Sequence, residues 1–309
     1  MRKVVVFGGT GWVGHYVVLE LQKHGYDCIV ASRGRKSEDY AVGLGDTPRV
    51  VIDKSDADQM EAFFQANRID IVIDMVPTPE SIDNVFKFAK SMRHYLHCSS
   101  TGGYTPLPFV PCNETALFHG KSGKGWVNKA ACDAKVMDMF QREGFPATVI
   151  RPCYITGGSD KLPIDNLGGR REDFIPDMLA EKVLEVADNG LALLQPIHVE
   201  DLARSFRLAL ENPASSIGQC YNICLDHAVT VNEYLAITAD AINRKLNVEY
   251  VPLNELLIRH PENPFGLKFF AEHMCFSIDK ARKDLNYIPE HGVEETIAET
   301  AYLTAQKFK

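Results

Sequence analysis

The chain has 309 residues, of which 45% are hydrophobic and 24% charged, ordinary globular usage that excludes a disordered chain. At about 150 residues per domain, this length allows two domains or one large domain with a cap. The 33 Lys+Arg against 41 Asp+Glu give a net charge of -8, which argues against a general nucleic-acid binder or a protein held on anionic membranes. Val4-Val5-Val6-Phe7 is a short apolar run that stops at Gly8 and predicts the first strand. Val13 to Lys23, with Val17, Val18 and Leu21 at helical spacing, predicts a helix closed by Gly25. Strands follow at Cys28–Ala31 and Val50–Ile52. Asp56 to Ala66 predicts a helix with Asp56 as its N-cap. A strand over Ile69–Val76 ends at Pro77 and Pro79, and a helix covers Ser81–Met92. His94–Cys98 is the fifth strand, Trp126–Glu143 a long helix, and Ala147–Ile150 the sixth strand, ending at Arg151-Pro152. Gly157 to Asn189 changes character: it is charged, holds Gly168-Gly169-Arg170-Arg171, and reads as a lid or substrate segment. Asp201–Leu210 returns to helix and Cys220–Leu225 to strand, and from Val229 the chain is helical with one strand over Asn247–Val251.

Strands alternating with helices at this spacing predict an α/β fold with a doubly wound parallel sheet. The apolar runs are continuous, as in strands covered on both faces. The expected division is a Rossmann-type domain over 1–155 with 195–227, and a smaller, mainly helical substrate domain over 156–194 with 228–309. None of the eight cysteines forms a C-x-x-C, and Cys220 and Cys224 sit on a strand as small hydrophobes. His94 and His97 share a strand and point to opposite faces, so no metal site is expected. Met1-Arg2-Lys3 leads straight into the first strand, and no run approaches the roughly 18 apolar residues of a membrane span. We expect a soluble, cytoplasmic protein with free thiols.

The strongest local signal is Gly8-Gly9-Thr10-Gly11-Trp12-Val13-Gly14, between the first strand and its helix. Gly8 allows a sharp turn, Gly11 a close approach of backbone to a pyrophosphate, and Gly14 tight packing of helix on strand. The helix N-terminus favours phosphate charge. On the first strand of a βαβ unit this pattern points to a nicotinamide dinucleotide. An NAD site carries a carboxylate at the end of the second strand, where this chain has Ala31-Ser32-Arg33-Gly34-Arg35-Lys36. Ser32, Arg33 and Arg35 suit a 2′-phosphate, so NADP is expected, with NAD and a merely solvated loop as alternatives. Asp53 follows the third strand, either against the adenine or as a turn former. Lys54, Val76, Pro77 and Ile155 complete the expected cofactor set.

Together with this turn, Ser99-Ser100-Thr101-Gly102-Gly103-Tyr104, Arg151-Pro152, Ile197-His198-Val199-Glu200-Asp201-Leu202-Ala203 and Tyr221-Asn222-Ile223 resemble the extended short-chain dehydrogenase/reductases, the nucleotide-sugar epimerase/dehydratase superfamily. The stretch from His198 to Tyr234 is most similar to the atypical branch that contains the chloroplast stem-loop binding proteins. The resemblance implies a catalytic Tyr, a Lys four residues later on the same helix, and a Ser or Thr after the fifth strand. It places the Lys at Lys129, which also holds the nicotinamide ribose, and the hydroxyl at Ser100, with Thr101 as the alternative. The Tyr position is occupied by Gly125. Tyr104 is our candidate replacement, with Tyr154, Cys98, Cys153, His119 and Lys124 as others. Arg170 and Arg171 either grip a substrate phosphate or belong to a solvated loop. The expected activity is hydride transfer, epimerisation or dehydration on a sugar-like or nucleotide-linked alcohol or ketone. The alternative is an NADP-binding redox sensor or RNA-associated protein. The resemblance also implies a homodimer through the helices Ser81–Met92 and Trp126–Glu143.

Overall fold

The computed structural model describes residues 2–34, 43–121, 124–169 and 174–309, with only the backbone of Lys124. Arg35, Lys36, Arg170, Arg171 and the Lys124 side chain, all singled out above, lie outside the described residues. Strands β1 (Lys3–Phe7), β2 (Asp27–Ser32), β3 (Arg49–Val51), β4 (Ile71–Asp74), β5 (His94–Cys98) and β6 (Ala147–Pro152) come first, then β7 (Tyr154–Thr156), β8 (Val183–Ala187), β9 (Leu193–Leu194), β10 (Pro196–His198), β11 (Gln219–Ile223), β12 (Val229–Thr230) and β13 (Asn247–Val251). Helices α1 (Trp12–Lys23), α2 (Ala57–Ala66), α3 (Pro79–Phe88) and α4 (Lys124–Glu143) lie between the early strands. They are followed by α5 (Phe174–Leu179), α6 (Val199–Glu211), α7 (Pro213–Ser216), α8 (Val231–Ala241), α9 (Leu253–Arg259), α10 (Pro264–Phe270), α11 (Asp279–Leu285) and α12 (Val293–Gln306).

The main sheet has the order β11-β6-β5-β4-β1-β2-β3, with every pair parallel. This is the doubly wound sheet the alternation predicts. Val4, Val5 and Val6 are fully buried, and successive residues enter opposite layers. Val4 and Val6 join one apolar cluster with Val17, Val18 and Leu21 of α1, while Val5 and Phe7 join another with Met60 and Phe63 of α2. Burial of both faces explains the unbroken apolar runs. The chain winds from β1 toward β3 on one side and from β4 toward β6 on the other. Between β1 and β4 the crossovers diverge and leave a crevice at the carboxyl edge.

Local chemistry sets the element ends. Asp56 caps α2 by accepting the Asp58 and Gln59 amides. Helix α3 starts at Pro79 rather than at Ser81, because Thr78 and Ser81 form a capping box and proline suits the first helical position. Strand β4 stops at Asp74, whose carboxylate turns back to accept the Val76 amide at 3.1 Å. The segment expected as a lid carries α5 and β8, the latter paired with β13. In β8, Leu184 and Val186 are buried while Val183 is exposed, a period of two that marks a strand. All eight cysteines are free thiols. Among the described residues no helix is long and apolar enough to cross a membrane.

Candidate active site

The β1–α1 turn is built by backbone against backbone. Gly8 has φ +83°, and a Cβ on Gly14 would lie 2.2 Å from the Gly8 carbonyl oxygen, so only glycine lets α1 start this close to the strand. Gly11 caps α1 without a side-chain hydrogen bond, and the first turn of α1 carries no acidic residue. Its amides therefore face a cleft with no internal counter-charge, as an anion site requires. A cleft of about 680 Å³ runs from Gly8, Gly11, Trp12, Val13 and Gly14 to Ser100, Gly125 and Lys129. A second, of about 380 Å³, adjoins it at Gly8 and Gly11 and is lined by Thr10, Ser32, Arg33, Asp53 and Lys54. Trp12 Nε1 is buried without a partner among the described residues. Two polar-ended clefts joined at a glycine turn fit a dinucleotide laid across the sheet edge.

Most of the expected cofactor residues reach these clefts; Val76 lines both and Ile155 the larger. Gly9 and Pro77 do not. Gly9 is buried against Val30, and the Pro77 carbonyl accepts from Asn128 Nδ2 on α4 at 3.2 Å. Asp53 lines the smaller cleft and also forms the turn, its carboxylate accepting the Ser55 amide at 3.0 Å and the Ser55 hydroxyl at 2.6 Å. The Lys54 ammonium pairs with buried Asp74 and donates to the Val76 carbonyl at 2.5 Å, tying β3 to the end of β4. Arg33 is exposed and makes no ion pair among the described residues.

At the other end, Lys129 reaches from α4 to donate to the Cys98 and Ser99 carbonyls at 3.3 and 3.2 Å. Ser100 caps the short turn Thr101–Tyr104. Its Oγ accepts the Gly102 amide at 3.2 Å and the Trp126 indole N–H at 3.3 Å. Thr101 is fully buried and donates to the Pro152 carbonyl, so Ser100 is the hydroxyl that faces the cleft. A Cβ on Gly125 would meet nothing within 4 Å. The space of one side chain is open there, one turn before Lys129.

Tyr104 does not fill it. The ring is fully buried between Phe118 and Phe276, and its hydroxyl accepts from Arg151 Nη1 at 2.5 Å. Burial pushes its proton affinity well above the ordinary tyrosine range although Arg151 opposes this, so Tyr104 is a packing residue and not a proton donor to the cleft. Of the other candidates, Cys98 and Cys153 line the cleft, and burial pushes the Cys98 thiol up to about 11 despite nearby Lys129. Tyr154 packs edge-on against Phe269 and lines neither cleft. His119 is occupied by the Lys121 amide.

Beneath the site lies a charged cluster that sequence reasoning missed. Asp133, one turn after Lys129 on α4, accepts from Arg151 Nε at 2.8 Å and Ser99 Oγ at 3.0 Å, and its other oxygen lies 2.9 Å from His97 Nε2 without bond alignment. Burial would raise the Asp133 carboxyl, but His97 and Arg151 outweigh it and hold it below the usual carboxylate range. The Arg151 guanidinium also lies 4.0 Å over the Phe118 ring. The sequence singles out Ser99, Arg151 and His97 separately, and only the fold brings them onto Asp133. Away from the clefts, His198, Glu200 and His291 come within 4.8 Å of one another. His198 Nδ1 accepts the Glu200 amide while Nε2 faces Glu299, and the two rings stack at 3.6 Å and 10°. Parallel rings aim their nitrogens side by side rather than at a common ion.

The profile of the NAD dependent epimerase/dehydratase family matches residues 4–88 and 80–224, which span the glycine turn, Ser100, Lys129 and β11. The chain belongs to this family. Within it, the chain is similar to the chloroplast stem-loop binding protein of 41 kDa b of Arabidopsis thaliana, 25% identical over 97% of this chain and 78% of the relative. It is also similar to the UDP-glucose 4-epimerase of Corynebacterium glutamicum, 23% identical over 97% and 94% of the two chains. Among solved structures, UDP-glucuronic acid 4-epimerase from Bacillus cereus in complex with NAD superposes with a TM-score of 0.79 at 15% identity, covering 100% of both chains. That likeness establishes the shared epimerase/dehydratase fold.

Proposed function

We propose that this protein is an NADP-dependent enzyme that moves a hydride to and from a sugar-like alcohol or ketone, as an oxidoreductase, epimerase or dehydratase. The observation that carries this reading is the convergence of Ser100 and Lys129 on the cleft that begins at the glycine turn. The α1 N-terminus and Gly11 would hold the pyrophosphate, Ser32 and Arg33 the 2′-phosphate, and Lys129 the nicotinamide ribose. Ser100 polarises the substrate oxygen. Gly125 contributes no acid, so water or another side chain delivers the proton, and the lack of the usual positioned acid costs on the order of 10²–10⁴ in rate. Of the expected substrate domain, Phe265 of α10 lines the wall of this cleft. The test is a hydride-transfer assay across a panel of sugars, nucleotide sugars and simple ketones, read by the near-ultraviolet absorbance of reduced nicotinamide. We expect slow but saturable turnover with NADPH. Stoichiometric cofactor binding with no turnover of any compound in the panel would overturn the enzymatic reading.

The open space at Gly125 favours one second reading, an NADP-binding protein that senses redox state or associates with RNA, as the name of the Arabidopsis relative invites. The net charge of -8 speaks against broad RNA affinity. RNA retention at low salt that falls steeply as salt rises, without hydride transfer, would favour this reading over the first.

A further inference from the structure

The hydrogen-bond inventory of Ser100 defines what it offers a substrate. A hydroxyl has two acceptor lone pairs and one proton. Both acceptor sites of Ser100 Oγ are taken, one by the Gly102 amide and one by the Trp126 indole N–H. Its proton has no acceptor among the described residues, and Ser100 lines the cleft. The Trp126 ring is fixed. On one face it lies so close to Gly102 that a Cβ there would sit 2.3 Å from Nε1. Phe269 stacks on the indole at 4.8 Å and 6°, and Phe265 at 5.5 Å and 30°. Phe265 and Phe269 are only 5.8 Å apart, which puts both on the same side of the indole. Phe265 is half-exposed and continues the wall of the cleft beside Cys153 and Ile155.

Resting on the proposed hydride-transfer reading, we infer that Trp126 is a positioning residue that makes Ser100 an obligate hydrogen-bond donor, and that the site takes its substrate as a ketone with an apolar flank against Phe265. A carbonyl oxygen accepts the Ser100 proton and presents no proton of its own. An alcohol in the same place can also accept the Ser100 proton, but it brings a proton of its own that Ser100, with both acceptor sites taken, cannot receive. The apolar flank of a cyclic ketone, like the C–H face of a keto-sugar ring, matches the Phe265 wall.

The chain has two tryptophans, Trp12 at the glycine turn and Trp126 at Ser100, so its indole N–H spectrum has two signals, one for each end of the cleft. The experiment titrates the full chain, first with NADP⁺ and then with cyclohexanone or cyclohexanol, and follows both indole N–H signals by NMR; Trp126→Phe assigns them. Ser100→Ala shifts the Trp126 signal before any ligand is added. With NADP⁺ bound, cyclohexanone moves the Trp126 signal at a concentration about tenfold below that needed for cyclohexanol, the size expected when a bound polar group is left unpaired. Trp126→Phe keeps the aromatic stack but removes the reporting indole, so there, as in the unaltered chain, calorimetry compares cyclohexanone with cyclohexanol, and the preference narrows to about twofold. Equal response to ketone and alcohol, or a Trp126 signal indifferent to Ser100→Ala, overturns the inference while leaving the cofactor reading intact. A Trp12 signal that ignores NADP⁺ overturns the reading beneath it.

Discussion

At the glycine turn backbone meets backbone: a Cβ on Gly14 would lie 2.2 Å from the Gly8 carbonyl oxygen, whereas at the entry to α4 a Cβ on Gly125 would meet nothing within 4 Å. The first glycine is dictated by geometry and admits no other residue. The second stands where a side chain would have room. The contrast teaches that the binding frame and the chemistry of this cleft are held by different means. The frame rests on chain geometry at Gly14, and the proposed chemistry on side chains brought together from separate segments.

The largest test of this contrast fills the open space. Gly125→Tyr sets a phenol one turn before Lys129 and is expected to raise hydride transfer by roughly 10²–10⁴-fold with cofactor affinity unchanged, measured by steady-state kinetics and calorimetry. No gain in rate would mean that another group already supplies the proton. Next comes the buried cluster beneath the site. Asp133→Asn leaves Arg151 buried without its counter-charge and is expected to cost about 3–5 kcal/mol, read from denaturant unfolding. A variant that kept its stability yet lost all activity would make Asp133 part of the chemistry rather than of the frame.

A third test concerns the opposite edge of the sheet. Burial, with a smaller contribution from Arg2, lowers the His94 pKa from 6.5 to about 4, and its Nε2 lies 2.8 Å from Thr148 Oγ1. The unfolded chain takes up this proton near pH 6.5 and the folded chain only near pH 4, so stability falls as pH drops through that window, by on the order of 3 kcal/mol. His94→Gln is expected to flatten this slope and leave cofactor binding untouched; a slope that survived would place the acid sensitivity in another group. The smallest effect lies at the adenosine end, where Arg33→Ala is expected to remove an at least tenfold preference for NADP(H) over NAD(H), about 1.4 kcal/mol. An unchanged preference would move 2′-phosphate recognition away from Arg33.

What could be read from the sequence follows the same division. The glycine turn is contiguous, and each glycine in it answers a local demand, so strand, turn and helix were legible together. The sheet was legible because strands buried on both faces leave unbroken apolar runs. The candidate site was legible in Ser100 and Lys129, which keep their places after the fifth strand and on the long helix. It was not legible where partners come from separate segments. Nothing near Trp126 announces Ser100 on one side or Phe265 and Phe269 on the other, and nothing near Tyr104 shows that Arg151 will take its hydroxyl. Tyr104 looked available because its loop follows a strand at the ligand edge; only packing reveals that its ring turns inward.

The central claim is that the Gly8–Gly14 turn cradles the phosphates of a nicotinamide dinucleotide. Calorimetric titration of the purified chain with NADP⁺ and, separately, NAD⁺ tests it most directly. The account predicts one saturable site per chain for NADP⁺, with NAD⁺ at least tenfold weaker. Heat no different from dilution for both coenzymes would contradict it.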